Sequence, residues 1–263
     1  MKHVVLAKIV EHLNLKPAPW SYLDTHAGIG LYDLAGEEAG RTGEWRNGVG
    51  RLRGRTFGAA TEALLAPWRE AMAGLGETAY PGSPEIVRRL ARAGDRLRLC
   101  EKHPKDAAAL VANFARDRRV KAVEIDGWTA LNAWLPPPER RGLVLIDPPF
   151  EEPGEYARMA DRLLKALKVW PTGTYALWYP VKDPGEVRAL VEPVAAAGVP
   201  KLITLELFAR APGDPKILAG TGLLIANPPW RLAEEFAAGG PELAQALAQG
   251  PGAFARAATL ANA

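Results

Sequence analysis

The chain of 263 residues contains one cysteine, three methionines and four histidines. A single thiol, Cys100, excludes an internal disulfide and any multi-thiolate metal site, and reads as a small buried hydrophobe in a reducing compartment. His3, His12, His26 and His103 show no spacing that would hold a metal ion. No apolar run approaches the roughly 20 residues needed to span a bilayer. The N-terminus is an amphipathic stretch rather than a charged start followed by a long apolar block. A soluble, cytoplasmic chain without a metal or membrane partner is therefore expected. Neither sign of charge dominates: 33 Lys and Arg against 30 Asp and Glu leave a net charge of +3, which permits a nucleic-acid partner without demanding one. What is present is ordinary globular material, 48% hydrophobic and 24% charged, enough for one large α/β domain plus an insertion.

Apolar residues at Val5, Leu6, Ile9, Val10 and Leu13 recur with helical period, and Pro17 and Pro19 stop that helix. Trp20 to Leu23 is a short strand running into a glycine-bearing turn, Asp24 to Gly30. From Leu31 to Tyr80 the chain is rich in Gly and Arg, with helical pattern around Ala59 to Ala73 and no convincing strand, so residues 31–80 read as an inserted helical subdomain. Residues 1–30 and 81–263 form the main domain. In it, Ser83 is placed to cap a helix starting at Pro84. Strands follow at Leu97 to Cys100, Val120 to Ile125, Leu143 to Ile146, Thr174 to Tyr179, Lys201 to Phe208 and Thr221 to Ala226, with helices between all but the last two. The segment between those two is too short and too rich in Pro and Gly for a crossover helix, so they are expected to pair as a hairpin. The sum is a seven-stranded, doubly wound, Rossmann-like sheet with an antiparallel last strand, the architecture most methyltransferases that use S-adenosyl-L-methionine share.

In such a sheet ligands sit beyond the carboxyl ends of the parallel strands. After the first strand, Gly28 and Gly30 allow close backbone approach, and Asp24 stands where it could bind a polar cofactor group; a plain tight turn is the other reading. Glu101 after the second strand suits the two vicinal hydroxyls of a ribose, or is a solvated charge. Asp126 after the third suits an adenine amine, with Gly127 leaving room for the ring, or is a helix N-cap. Acidic or glycine signals at three successive strand ends match a nucleoside cofactor lying across the sheet.

The fourth strand ends in Asp147-Pro148-Pro149-Phe150. An amine conjugated to a base is a poor nucleophile because its lone pair is delocalised. The Asp147 carboxylate and the Pro148 carbonyl can accept both amine hydrogens and favour the tetrahedral nitrogen that attacks a methylsulfonium in line. Two prolines stiffen the loop and Phe150 offers a stacking face. Deprotonation can follow attack, so Asp147 is assigned orientation and polarisation rather than strong-base work. Asn227-Pro228-Pro229-Trp230 has the same form. An antiparallel last strand would deliver it to the opposite edge of the sheet, which leaves Asp147 as the catalytic carboxylate. Arg41, Arg46, Arg51, Arg53 and Arg55 with Trp45, and Arg140 with Arg141, are candidate phosphate contacts or simply solvated surface.

Together, Leu23-Asp24-Thr25-His26-Ala27-Gly28-Ile29-Gly30, Arg41-Thr42-Gly43-Glu44, Tyr80-Pro81-Gly82-Ser83-Pro84, Asp147-Pro148-Pro149-Phe150, Tyr175-Ala176-Leu177-Trp178-Tyr179-Pro180 and Asn227-Pro228-Pro229-Trp230 resemble the RlmJ family of bacterial ribosomal RNA adenine-N6 methyltransferases. The resemblance spans nearly the whole chain. It implies that Lys2, His3, His26, Ser83, Glu101, Asp126 and Gly127 line an S-adenosyl-L-methionine pocket and that Asp147 carries catalysis. It also implies that the insertion helps to hold RNA, and that the partner is large-subunit ribosomal RNA, protein-free or in an early assembly intermediate, met by a monomer. Family members usually carry Tyr where Phe150 stands, and begin with a further segment before the Lys-His pair, where Met1 here precedes Lys2 directly. That segment is expected to fold over the site. DNA adenine methylation, and nucleic-acid binding without catalysis, are the alternative functions.

Overall fold

Large apolar side chains alternate along the strands with a period of two, and that alternation builds one sheet covered on both faces. In the computed structural model, which describes residues 1–36 and 43–260, Tyr22, Leu97, Leu99, Leu143, Leu145, Leu205 and Leu223 face one core. Leu23, Cys100, Val144, Ile146, Tyr175, Leu177 and Leu224 face the other. The strands of the sheet are β1 (Ser21–Asp24), β4 (Arg96–Glu101), β5 (Val120–Glu124), β6 (Gly142–Ile146), β7 (Thr174–Val181), β8 (Leu202–Phe208), β9 (Gly220–Ala226) and β10 (Phe254–Thr259). Their spatial order is β10-β8-β9-β7-β6-β1-β4-β5.

Two features depart from the sequence-based expectation. The sheet has eight strands rather than seven, because β10 adds an antiparallel edge beside β8. The hairpin β8-β9 forms, but β9 inserts between β7 and β8 and runs antiparallel to both, so β8 itself points the same way as the five strands before it. Ala226 pairs with Tyr175, which brings Asn227 out at the amino end of β7. There Asn227 adopts φ +52°, a left-handed conformation asparagine tolerates better than most residues. Its side-chain amide donates to the carbonyls of Pro171 and Gly173, each at 2.8 Å. The two similar tetrapeptides therefore occupy opposite edges of the sheet.

On one face lie α1 (Lys2–Asn14), α2 (Ala59–Met72), α3 (Ser83–Leu90), α4 (Pro104–Phe114) and α8 (Leu232–Ala246); on the other lie α5 (Gly127–Ala133), α6 (Glu155–Val169) and α7 (Pro184–Ala196). The run Val4 through Val10 of α1 is buried throughout, Lys8 included, sandwiched against α2 and α3. Helix α2 lies within the segment read as an insertion, yet its Leu64, Leu65, Trp68 and Ala71 share the core that α1 fills. The same segment is closed by a short antiparallel ribbon, β2 (Leu31–Asp33) with β3 (Ala79–Pro81), where no strand was expected.

Several arginines that the sequence left as phosphate contacts or solvated surface hold backbone carbonyls. Arg53 donates to Glu77 and Ala79, Arg51 to Ala248, and Arg141 to Ala18 and Leu13. Arg41 and Thr42 lie outside the described residues. Among the described residues, no helix is long and apolar enough to cross a membrane.

Since Asn227 ties the β9 exit to the α6-β7 loop at the edge away from the parallel strand ends, Asn227→Ala is expected to cost about 2 kcal/mol of stability. Transfer per folded molecule should be nearly unchanged; urea denaturation beside an activity assay checks both.

Candidate functional site

The carboxyl ends of β1, β4, β5 and β6 border an open cleft of about 850 Å³. Of the residues singled out from sequence, Lys2, His3, His26, Gly28, Ser83, Glu101, Asp126, Asp147 and Pro149 line it. Asp24, Gly30, Gly127, Pro148 and Phe150 do not; they hold the walls from behind.

Asp24 is fully buried. Tyr22 and Ser83 donate to its Oδ2, each at 2.7 Å, and the His26 amide donates to Oδ1 at 3.3 Å. Burial pushes this carboxyl up to about 6, against the opposing pull of the Ser83 and Tyr22 hydrogen bonds. Ser83 thus serves Asp24 rather than capping α3, which begins at Ser83 with Gly82 as its N-cap. Gly30 abuts the Phe114 ring: a Cβ there would come within 2.4 Å of it. Gly127 is required for a different close approach than the one expected, since a Cβ would stand 2.1 Å from the Thr25 carbonyl oxygen.

Glu101 is aimed by two backbone donors. The Gly28 amide reaches Oε2 at 2.9 Å and the His103 amide reaches Oε1 at 2.8 Å. Each oxygen keeps a lone pair for a hydroxyl in the cleft. Asp126 is the α5 N-cap and also lines the cleft. Its Oδ1 accepts from the Thr129 amide at 2.9 Å as the α5 N-cap, and Oδ2 remains on the cleft side, 4.0 Å from Lys102 Nζ. Trp128 lies edge-on to His26, ring centroids 5.3 Å apart, forming an aromatic wall.

Asp147 caps the row. Lys2, in the first turn of α1, donates to Asp147 Oδ2 and sits 5.4 Å from the Trp178 ring centroid. No described residue bonds to Oδ1. Phe150 has φ +56°, unusual for a bulky residue, and its ring packs on Tyr156 and Trp178. His3 hydrogen-bonds Tyr80 at 2.8 Å, and burial holds its imidazole well below its ordinary value.

Tyr32, Lys102, Asp106, Glu151, Glu152, Glu155 and Arg158 also line the cleft and were not singled out from sequence. Only Glu151 and Glu152 carried a signal, their adjacency to the tetrapeptide. The lining holds seven carboxylates and only Lys2, Lys102 and Arg158 as lysine or arginine counter-charges. Such a surface favours a ligand bearing a cation and hydroxyl or amine donors, and disfavours phosphate. S-adenosyl-L-methionine, with its sulfonium, ammonium, ribose hydroxyls and adenine amine, fits that donor set.

A doubly wound sheet with this row of acids at its switch point, ending in Asp-Pro-Pro, is the site of an S-adenosyl-L-methionine-dependent methyltransferase. Residues 17–258 match the family model described as "Ribosomal RNA large subunit methyltransferase D, RlmJ". The chain is 38% identical over 237 residues to ribosomal RNA large subunit methyltransferase J of Escherichia coli, covering 90% of this chain and 85% of that one. It is also 38% identical over 234 residues to the Haemophilus influenzae protein of the same name, covering 88% and 83%. A crystal structure of a Legionella pneumophila protein superposes with a TM-score of 0.86 at 29% identity, covering 100% of this chain and 96% of that one. The chain belongs to the RlmJ family of ribosomal RNA large subunit methyltransferases.

The elevated Asp24 carboxyl gives a sign-specific prediction. Its folded value, about 6, exceeds the ordinary 3.8, so its contribution to stability is full below the lower value and lost as pH rises through the upper. Asp24→Asn stays neutral throughout. The stability of Asp24→Asn relative to wild type should therefore rise by about 2 kcal/mol between about pH 4.5 and 7.5, read from urea midpoints. A constant difference would contradict the elevated value.

Proposed function

We propose that this protein transfers a methyl group from S-adenosyl-L-methionine to the exocyclic N6 of one adenine in large-subunit ribosomal RNA. One observation carries this reading: Asp147-Pro148-Pro149-Phe150 follows a strand on the same edge as Glu101 and Asp126, and its Asp147 and Pro149 border the same cleft. The cofactor supplies an electrophilic methyl on a sulfonium, and the chain supplies everything that positions it.

Glu101 accepts from ribose hydroxyls, Asp126 Oδ2 accepts from the adenine amine of the cofactor, and the surrounding carboxylates favour its positive charge. The Asp147 carboxylate, which borders the cleft, accepts from the target amine, which reduces delocalisation of its lone pair. Lys2 fixes one Asp147 oxygen and so sets the direction of the other. The amine surrenders a proton after it has gained the methyl, so Asp147 orients and polarises rather than acting as a strong base. Phe150, packed on Tyr156 and Trp178 behind the cleft wall, stiffens the loop that presents Asp147. The target base enters unpaired or flipped, since a stacked and paired adenine cannot offer this amine to a recessed carboxylate. The protein acts as a cytoplasmic monomer on protein-free RNA or an early assembly intermediate.

Asp147→Ala is expected to lower methyl transfer to protein-free large-subunit RNA by at least about 100-fold. Binding of S-adenosylhomocysteine should stay within about threefold. Incorporation assays with mapping of the modified base, and calorimetry, measure the two. Preferential methylation of a sequence-matched DNA oligonucleotide would replace the RNA reading with the DNA one.

A further inference from the structure

The parallel strands begin on the edge of the sheet opposite the cleft, and the loops at that edge are rich in cations. Lys16 precedes β1, Arg116 and Arg118 precede β5, Arg140 precedes β6 and Lys201 precedes β8, while Arg231 follows β9, which ends on the same edge. All six are exposed. Their neighbours are spent inside the chain. Arg92 pairs with Asp95, Arg119 pairs with Asp117 and holds the carbonyls of Arg88 and Ala91 at the end of α3, and Arg141 holds the Leu13 carbonyl of α1. Those contacts answer the acids of these loops and the helix ends that favour a cation. Among the described residues, no carboxylate or carbonyl does the same for the six.

The loops that leave the same strands carry acids of the cleft, Asp126, Asp147, Glu151 and Glu152 among them, so the two edges of the sheet differ in sign. The second tetrapeptide adds an aromatic to the basic edge. Trp230 is 77% exposed, more than any other large apolar side chain described, and the Arg231 guanidinium lies 5.4 Å from its ring centroid. Two prolines and the two Asn227 hydrogen bonds stiffen the loop that presents it. An uncovered indole beside a guanidinium is a surface on which a base can stack while neighbouring cations hold phosphates.

Adjacent strands lie about 4.8 Å apart, so the row from Arg116 beside β5 to Lys201 beside β8 extends about 30 Å, close to one turn of a nucleic-acid duplex. Spaced, unpaired cations along such a length suit a polyanion rather than a single small anion. We propose that this edge docks the phosphate backbone of the substrate RNA at a segment remote from the methylated adenine, with Trp230 stacking on an unpaired base beside it. This docking rests on the reading of ribosomal RNA as the substrate. It gives the phosphates that the acidic cleft repels a place on the chain, and it separates holding the RNA from presenting its base.

The test compares the wild-type full chain with a triple variant, Arg116→Gln with Arg140→Gln and Lys201→Gln, and with Trp230→Ala. Each is offered a long protein-free fragment of large-subunit RNA and a short hairpin carrying the methylated base. Melting curves and S-adenosylhomocysteine calorimetry, both expected to match wild type, confirm the fold and the pocket. By fluorescence anisotropy at about 0.1 M salt, the triple variant should bind the long fragment about tenfold more weakly, and the slope of log affinity against log salt should fall by about two. Trp230→Ala should weaken that binding about tenfold with little change in slope, because stacking is not ionic. Both variants should raise KM for the long fragment while kcat, and methylation of the hairpin, stay unchanged. A folded triple variant with wild-type affinity and salt slope would overturn the docking edge and leave the methyl-transfer reading standing. Weakened binding by the variants, beside a wild type that transfers no methyl, would support the docking edge and sink the proposed activity. A wild type that binds no RNA would overturn both.

Discussion

A carboxylate without solvent stands at the end of the sheet's first strand, and the walls of the cleft are arranged around its needs. Burying Asp24 is costly unless its oxygens are paired, and the three donors it accepts from come from three places: Tyr22 on β1, the amide of His26 in the turn, and Ser83 at the start of α3. Each donor is therefore held in position by the cost of withdrawing it. Two of the donor residues, His26 and Ser83, also show a surface to the cleft. The Asp24 side chain itself never reaches the ligand. Its effect is to fix the turn that presents Gly28 to Glu101, and the helix start that faces it across the pocket.

Strand direction then decides what otherwise identical chemistry can do. Asp147-Pro148-Pro149-Phe150 and Asn227-Pro228-Pro229-Trp230 each follow a buried apolar strand, and each contains a residue of positive φ, Phe150 at +56° and Asn227 at +52°. The parallel β6 delivers the first to the cleft. The antiparallel β9 delivers the second to the far edge, where the Asn227 amide closes a loop by donating to two carbonyls. In one copy the polar side chain keeps an oxygen free of protein donors; in the other its amide is consumed.

The parts of this fold legible in sequence are those where burial imposes a period. Runs such as Leu143 to Ile146 and Leu202 to Phe208 are buried at every position, and Asp147 at the end of the first was visible as a strand-end signal. Strand β10, Phe-Ala-Arg-Ala-Ala-Thr, was not: its small residues on an edge have no two-residue contrast in hydrophobicity. Ribbon β2 is three residues long and exposed throughout, so nothing but pairing with β3 marks it. Helix α8 contains Gly239-Gly240-Pro241, which reads as a break. The glycines are instead a packing device, since a Cβ on Gly239 would sit 2.8 Å from the Ala60 carbonyl oxygen of α2.

The charge of the cleft constrains how RNA can approach it. Seven carboxylates around a site suit a sulfonium, but they repel a phosphate backbone, so a nucleotide must enter with its base leading and its phosphates left outside. Three of the arginines that sequence position offered for those phosphates, Arg51, Arg53 and Arg141, hold backbone carbonyls of this chain instead. Their work is to fasten the segment between β2 and β3, and the α1-β1 turn, to the core. A mildly basic chain thereby carries an acidic cleft, one that repels phosphate more than it repels a neutral base.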